Sequence, residues 1–501
     1  MSIEKTKLNY LSKGKIEEEQ VMVETLLSVP DLQKLLWVEA QANLEAITPT
    51  QGEVGFSGQT YIFGAYLDAD KKIKPYENTA PFMGKIANDK IDAGTSVNLV
   101  VSTRAVNFVE KSGKIECLIG ITGDYVQPNQ MEILCGGSEN VCVKTEEITT
   151  QELLKAESLV FNEEISYPIN DKMENILRVT SKVCLKSIIP EDNLFSVSGE
   201  IYTTIKYITT NEDLETVSCV SFSEPFKREI EVSGLDANGV VKAVASVDRA
   251  NYKYELDKEV NKILISVPIN ITYRAYQDIS MPYAVDAFGM ENQLGITTVS
   301  ANKSVVLAQE FFEAKIDGSV QVDTNAPRID KVIGFSDPIH TITSLEFSAG
   351  KVYVEGIATF DITYLNDELE DLTTIKQEIP FKVGVATDNP LNDVVFTNSQ
   401  LLDVDVVARR GREVFFDAKL KFEVCSKKDI CDAVITEIEV KEALPAKNHA
   451  IEIYFGKKGD DLWQIAKELK VSPSVIESQN PDLVLPLEQS ENIVIYNTKT
   501  R

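Results

Sequence analysis

The sequence predicts a mainly β protein: three tandem β-rich modules followed by a small β-α-α-β domain. Three observations carry that prediction. A frame of glycine, tyrosine and Pro-Phe occurs three times along the chain. Residues around each copy alternate apolar and polar, which is the period of a strand. The C-terminal stretch instead holds two adjoining helical patterns between two short β-like runs.

The repeats come first. "GQTYIFGAY" covers 58–66, "GEIYTTIKY" 199–207 and "GIATFDITY" 356–364, so glycine precedes tyrosine by eight positions each time. Each run then meets Pro81-Phe82, Pro225-Phe226 or Pro380-Phe381, with the proline 23, 26 and 24 positions after the glycine. Between them lie the polar tips "DADKK", "TNEDLE" and "NDELED". This predicts a β-hairpin whose return strand ends at proline. Glycine inside the first strand predicts a bulge or a close backbone approach. The shared tyrosine predicts core packing with its hydroxyl at the rim.

Further strand-like segments follow each hairpin. They are "SVNLVVSTRAVNF" and "KIECLIGITGDY", then "GVVKAVASVDRANYKY" and "KILISVPINITYRAY", then "LLDVDVVARR" and "EVFFDAKLKFEVC". An arginine recurs in the first of each pair: Arg104, Arg249 and Arg409. The modules are placed at 21–145, 158–285 and 304–440, after an N-terminal tail at 1–20. Stretches at 145–157, 297–303 and 441–449 are poor in apolar residues and are assigned as linkers. The first, "TTQELLKAESLV", is expected to be part helix from its helix formers and threonine start.

The C-terminal domain is placed at 450–498. Leu462, Ile465, Ala466 and Leu469 share one helix face. Asp460 and Asp461 stand at its start, where an N-cap and a first-turn acid belong. Ser472-Pro473 starts a second helix, to which Val475 and Ile476 give an apolar side, and Asn480-Pro481 ends it. "IEIYF" and "NIVIY" flank the pair as strands. The core is expected from Leu462, Ile465, Ala466 and Ile476, with Trp463 supporting it.

Composition narrows the function classes. With 78 acids against 50 bases the net charge is −28, which repels nucleic-acid phosphates and anionic lipid. No nucleic-acid partner and no membrane insertion are expected: no run of 18 apolar residues exists, and the N-terminus lacks a signal peptide's apolar core. The seven cysteines are scattered, without a C-x-x-C pair, as in a reducing, cytoplasmic setting. Only His340 and His449 could serve a Ser-His-Asp or Cys-His site, and both read as bland histidines. No phosphate-binding or nucleophile-elbow motif is present, so no enzyme, cofactor or metal is expected.

The C-terminal residues Gly459, Asp460, Leu462, Trp463, Ile465, Ala466, Val471, Ser472, Ile476, Asn480, Pro481 and Pro486 resemble a LysM domain. That resemblance implies a shallow groove for N-acetylglucosamine-containing glycans, built by the loop entering the first helix and the loop leaving the second. The implied binding residues are Lys458, Gly459, Asp460, Asp461, Leu462, Asn480, Pro481, Leu487 and Glu488. Asp461 stands where the family has a neutral hydroxyl, and Leu487 and Glu488 interrupt its Pro-Gly-Gln, changes that count against a sugar.

Three β modules ending in LysM resemble the SPOCS-repeat proteins associated with clostridial spore coats, on the repeated Gly…Tyr…Pro-Phe frame and the layout. This implies a structural adaptor in the mother-cell cytoplasm at the forespore surface. Its LysM domain would bind a spore coat protein, a SpoIVA-like ATPase. The alternative is a peptidoglycan-binding protein anchored to cortex or wall through LysM, and a wall-targeted hydrolase lacks a catalytic constellation.

Overall fold

A computed structural model describes residues 3–496, apart from 170–172, 174, 212–213, 258–260, 367–370, 388–393, 410, 446 and 448. The first module contains β1 (Lys5–Leu26), β2 (Lys34–Thr50), β3 (Glu53–Leu67), β4 (Ile73–Ala87), β5 (Ser96–Val109) and β6 (Lys114–Leu134). They form two antiparallel sheets, β2-β3-β4 and β1-β6-β5.

The second module adds β7 (Val141–Pro168), β8 (Asn175–Glu191), β9 (Leu194–Asn211), β10 (Leu214–Glu231), β11 (Val240–Val247), β12 (Lys253–Asp257) and β13 (Lys262–Gly289). Its sheets are β8-β9-β10 and a sheet in which β7, β11 and β12 all pair with β13.

The third module comprises β14 (Asn292–Gln321), β15 (Ile329–Phe335), β16 (Ile339–Ser348), β17 (Lys351–Asn366), β18 (Leu372–Ala386), β19 (Val394–Arg409) and β20 (Glu413–Ala443). Here β15 and β16 pair with successive parts of β17, divided at Pro338, which has no N–H to donate to a ladder. The other sheet is β14-β20-β19. In every module the two sheets pack face to face around a buried core. Ile62 and Ile119 belong to the first, Phe195 and Ile265 to the second, Phe360 and Phe416 to the third.

Two sequence expectations are corrected. The proposed tail and linkers are largely strand: Lys5 onward is β1, 145–157 lies inside β7, and 297–303 lies inside β14. The expected helix does not form, because β7 pairs with β13 along its whole length and Thr150 and Gln151 are buried. Tertiary pairing overrides a weak local propensity. Of the third linker, β20 takes up 441–443, and the connection starts at Leu444.

The recurring frame has one geometric cause. Gly58, Gly199 and Gly356 lie directly opposite Phe82, Phe226 and Phe381 on the return strand. A Cβ on each would stand 2.5, 2.7 and 2.5 Å from that phenylalanine ring. On its other side each glycine faces a β-bulge, between Leu44 and Ala46, Leu185 and Ser187, or Ile342 and Ser344. There the carbonyl oxygens of Asn43, Cys184 and Thr341 lie 2.2, 2.4 and 2.6 Å from the Cβ position. Only glycine fits between a ring and a bulged carbonyl.

A second bulge recurs nearer the N-terminus, on the same strand in the first two modules and on β15 in the third, leaving Leu36, Leu177 and Ile333 unpaired in the ladder. These three residues, one per module, meet in a single buried cluster with Trp37, Ala65 and Ile73. Beside it lies a buried charge cluster assembled from all three modules. Lys206 Nζ pairs with Asp337 at 2.7 Å and with Glu39 at 3.4 Å. Arg178 pairs with Glu39 and, at 3.5 Å, with Asp337. Burial alone would raise the Asp337 carboxyl, but Lys206 and Arg178 hold it far below the usual carboxylate range. Leu8 and Ile133, Ile148, and Ala301 and Val434 form another three-module cluster along the long strands.

Replacing Gly199 by Ala should lower unfolding free energy by about 1–3 kcal/mol, the usual cost of overpacking, measured by urea denaturation. Glu39→Ala leaves Arg178 and Lys206 short of a buried carboxylate and should cost about 3–5 kcal/mol. An unchanged urea midpoint for Glu39→Ala would show that the cluster does not join the modules.

Candidate partner-binding site

The C-terminal unit is β21 (Ile451–Gly456), α1 (Leu462–Leu469), α2 (Pro473–Gln479) and β22 (Glu491–Tyr496). The antiparallel pair β21-β22 carries both helices on one face. Ile465, Ala466, Leu469, Ile476, Leu487, Ile493 and Ile495 are its buried core. Leu462 and Trp463 pack at the edge of that core rather than within it.

The residues expected to bind a partner or glycan divide into two groups. Asp461 is the N-cap of α1. Its carboxylate accepts from Gln464 N at 2.7 Å, and the Gln464 side chain accepts from Asp461 N at 3.2 Å, a capping box. Asp460 accepts from the Tyr454 hydroxyl at 2.9 Å and from Lys457 N at 2.8 Å. The Lys457 N–H and that hydroxyl lower its pKa. Asn480 latches α2 to β22 through Val494 O at 3.0 Å and Val494 N at 3.2 Å. Lys458, Gly459, Pro481 and Glu488 are exposed.

Leu487 requires a correction. Expected as a surface bump in the groove, it is 2% exposed, and its Cδ1 would stand 2.3 Å from a Cβ on Gly456. Its backbone joins the two groove loops: Gly459 N donates to Leu487 O at 2.8 Å, and Leu487 N to Asp460 O at 3.0 Å. The side chain points inward into room that Gly456, which has no side chain, leaves for it.

Sequence reasoning missed the outer face of β21. Ile451, Ile453 and Phe455 are 52%, 50% and 72% exposed, and Tyr496, opposite Ile451, is 55% exposed. The alternation in "IEIYF" is real, but it is inverted. Glu452 and Tyr454 are the less exposed residues, held by Lys447 at 2.6 Å and by Asp460. The signal was the tyrosine, whose ring fills the core side while its hydroxyl reaches the loop.

Trp463 clamps the unit to the second module. Its indole N–H donates to Asp286 Oδ2 at 2.8 Å, and its ring packs on Phe288 with centroids 5.1 Å apart. Lys467 pairs with Asp286 at 2.6 Å. Partial burial would raise the Asp286 pKa, but the hydrogen bonds from Lys467 and Trp463 outweigh it and lower it.

The other residues singled out from sequence sit elsewhere. Arg104 pairs with Glu18, Arg249 is buried with its guanidinium on Gln41 and over the Tyr252 ring, and the Arg409 side chain lies outside the described residues. His340 bonds Ser399 Oγ at 2.7 Å, and His449 lies 3.7 Å from Glu452. Among the described residues no cluster of three His, Cys, Asp or Glu could hold a metal ion, and no helix is long and apolar enough to cross a membrane.

A two-sheet unit repeated with the same glycine and the same bulges defines a β-repeat protein. The family described as SipL, SPOCS domain matches residues 172–255 and 328–409, which supports a SipL-like SPOCS-repeat protein. The matches run from β8 to β12 and from β15 to β19, and β2 to β5 of the first module follow the same pattern. No curated protein matches the chain.

Leu487→Ala should cost about 2–5 kcal/mol, enough to unfold a unit of this size. Limited proteolysis of the full chain should then cut within 451–496 while the β modules resist. Equal protease resistance in variant and parent would return Leu487 to the surface.

Proposed function

We propose that the chain is a non-enzymatic structural adaptor of bacterial spore-coat assembly, whose C-terminal unit binds a coat morphogenetic ATPase of the SpoIVA kind. The SPOCS matches support the sporulation setting. The observation that carries the partner reading is the apolar outer face of β21-β22, formed by Ile451, Ile453, Phe455 and Tyr496. Aromatic and aliphatic side chains clustered on a flat, rigid sheet are the composition of a protein-binding hot spot.

The groove implied by the LysM resemblance supports a sugar less well. Asp460, Asp461 and Asn480 direct their polar atoms to the backbone and to Tyr454, and Leu487 closes the floor. Glu488 and Glu491 flank the unit with negative charge, and the whole chain carries −28. A partner that places lysine or arginine around an apolar patch answers both features. The three modules, joined by a shared core and shared charges, serve in this reading as a rigid mount.

Phe455→Lys in the full chain should weaken capture of a purified SpoIVA-like ATPase by roughly 30-fold, the loss of one hot-spot side chain. Its circular dichroism should match the parent, because the side chain is outside the core. Unchanged capture by both Phe455→Lys and Ile453→Lys would remove this face from the interface. Titration calorimetry against N-acetylglucosamine oligomers is the companion test. Micromolar glycan affinity without ATPase capture would replace the adaptor with a peptidoglycan-binding protein.

A further inference from the structure

The second and third modules meet where β11 lies against β14. From β14, Phe311 packs on the core of the second module. Directly opposite Phe311 in the ladder is Glu423 of β20, which on its other side faces Asn398 of β19. Glu423 is 6% exposed. Gln309, two residues before Phe311, joins it to the second module. Its amide nitrogen donates to Glu423 Oε2 at 3.1 Å and to Ala243 O at 2.7 Å, and its amide oxygen accepts from Ala243 N at 2.8 Å. Gln309 thus meets the edge of β11 turned away from β13 much as a neighbouring strand would, and both of its amide hydrogens are used.

The charges around Glu423 are engaged elsewhere. Lys242, next to Ala243 on β11, pairs with Asp124 of the first module, which also pairs with Arg274. Lys421, two residues before Glu423, pairs with Glu200 at 3.3 Å and Glu313 at 3.2 Å. From β8, Cys184 is close enough to feel the Glu423 charge, and burial pushes its thiol up to about 12. Lys182, on the same strand, donates to Leu401 O at 2.9 Å and interacts with the Asp337 charge. Cys425, two residues after Glu423, is also raised by burial. From β1, Lys13 donates to Gln151 Oε1 at 2.8 Å, and burial lowers it to about 7. Glu423 itself forms no ion pair among the described residues.

A buried carboxylate met by two amides and no paired cation gives up its charge more readily than its place. Burial pushes the Glu423 carboxyl from 4.5 up to about 8, against the opposing pull of Gln309, Lys242 and Asn398. At neutral pH it is mostly the uncharged acid.

We propose that Glu423 is a proton-controlled latch between the second and third modules, which lets Gln309 hold β11 while it is protonated and loosens that hold when it ionises. An ionised Glu423 is a buried charge without a counter-charge, and admitting water to the contact relieves it. The folded carboxyl holds its proton more tightly than the unfolded one. Its contribution to stability is therefore whole below about pH 4.5, declines as pH rises and is lost by about pH 8. Lys13 acts in the opposite sense: its folded pKa is lowered, so its contribution grows with pH above about 7. The two are separated by changing Glu423 alone.

Amide hydrogen exchange of the full-length protein, corrected for the intrinsic rate at each pH, reads the latch directly. The Ala243 N–H faces Gln309, whereas strand alternation turns the Val244 N–H toward β13 and makes it the internal reference. Between about pH 6 and pH 9 the protection of Ala243 relative to Val244 should fall about tenfold, as the protonated fraction of Glu423 does. Glu423→Gln, of the same shape and neutral at every pH, should hold that ratio constant. If Glu423→Gln does not fold, carbon-13 carboxyl spectra of the parent take its place, and one glutamate should titrate near pH 8. A constant ratio in the parent, the same fall in Glu423→Gln, or no carboxyl titrating near pH 8 overturns the proposal.

Discussion

A phenylalanine ring laid across a glycine sets the geometry on which this molecule depends. The contact works in one register only. Sliding the return strand by a residue would turn the ring to the opposite face of the sheet. With Phe82, Phe226 or Phe381 on one side of the glycine, the strand on the other side must bulge to clear it. The bulge twists that strand, and a second bulge lies N-terminal to it, on the same strand in the first two modules and on β15 in the third. From this second bulge Leu36, Leu177 and Ile333 project into a common cluster. A local steric rule, repeated three times, thus becomes a rule for how the modules meet.

The charges at that meeting point act differently from the apolar cluster. Burying Glu39, Arg178, Lys206 and Asp337 sacrifices hydration that apolar residues would not have lost. The return is specificity. A carboxylate from the first module, two cations from the second and a carboxylate from the third satisfy one another only when all three modules are in place. Any arrangement missing one leaves a buried charge exposed to the full desolvation cost. Hydrophobic packing draws the modules together, and the ion cluster selects one way of doing so.

Much of this was legible in the sequence where the cause is local. The glycine and the phenylalanine recur because each answers a constraint within one hairpin. The helix start at Asp461 follows from capping chemistry a few residues wide, and the one after Ser472 from Pro473 at the first turn, since Ser472 makes no side-chain cap. Features that depend on distant partners were not legible. "TTQELLKAESLV" has helix formers, yet it is a strand because β13 lies beside it. Alternation in "IEIYF" fixes which residues share a face but not which face is wet. The side chain of Leu487 faces inward because Gly456 leaves room for it, a fact no single-segment pattern contains.

The way the C-terminal unit is attached bears on how it could serve as a binding head. A head on a loose tether must lose its freedom when it docks, and that loss opposes binding. Here the connection after β20 is fixed at both ends. Leu444 N donates to Glu291 O at 2.8 Å, and Lys447 pairs with Glu452 at 2.6 Å at the start of β21. Trp463 and Lys467 then grip Asp286 on β13, which itself runs through the second module's core. The exposed face of β21 is therefore held at a set orientation to the long strands. A partner meeting Ile451, Ile453 and Phe455 meets a surface already ordered, and its contacts need not first immobilise the head. The same rigidity ties the head to the second module at Asp286 on β13.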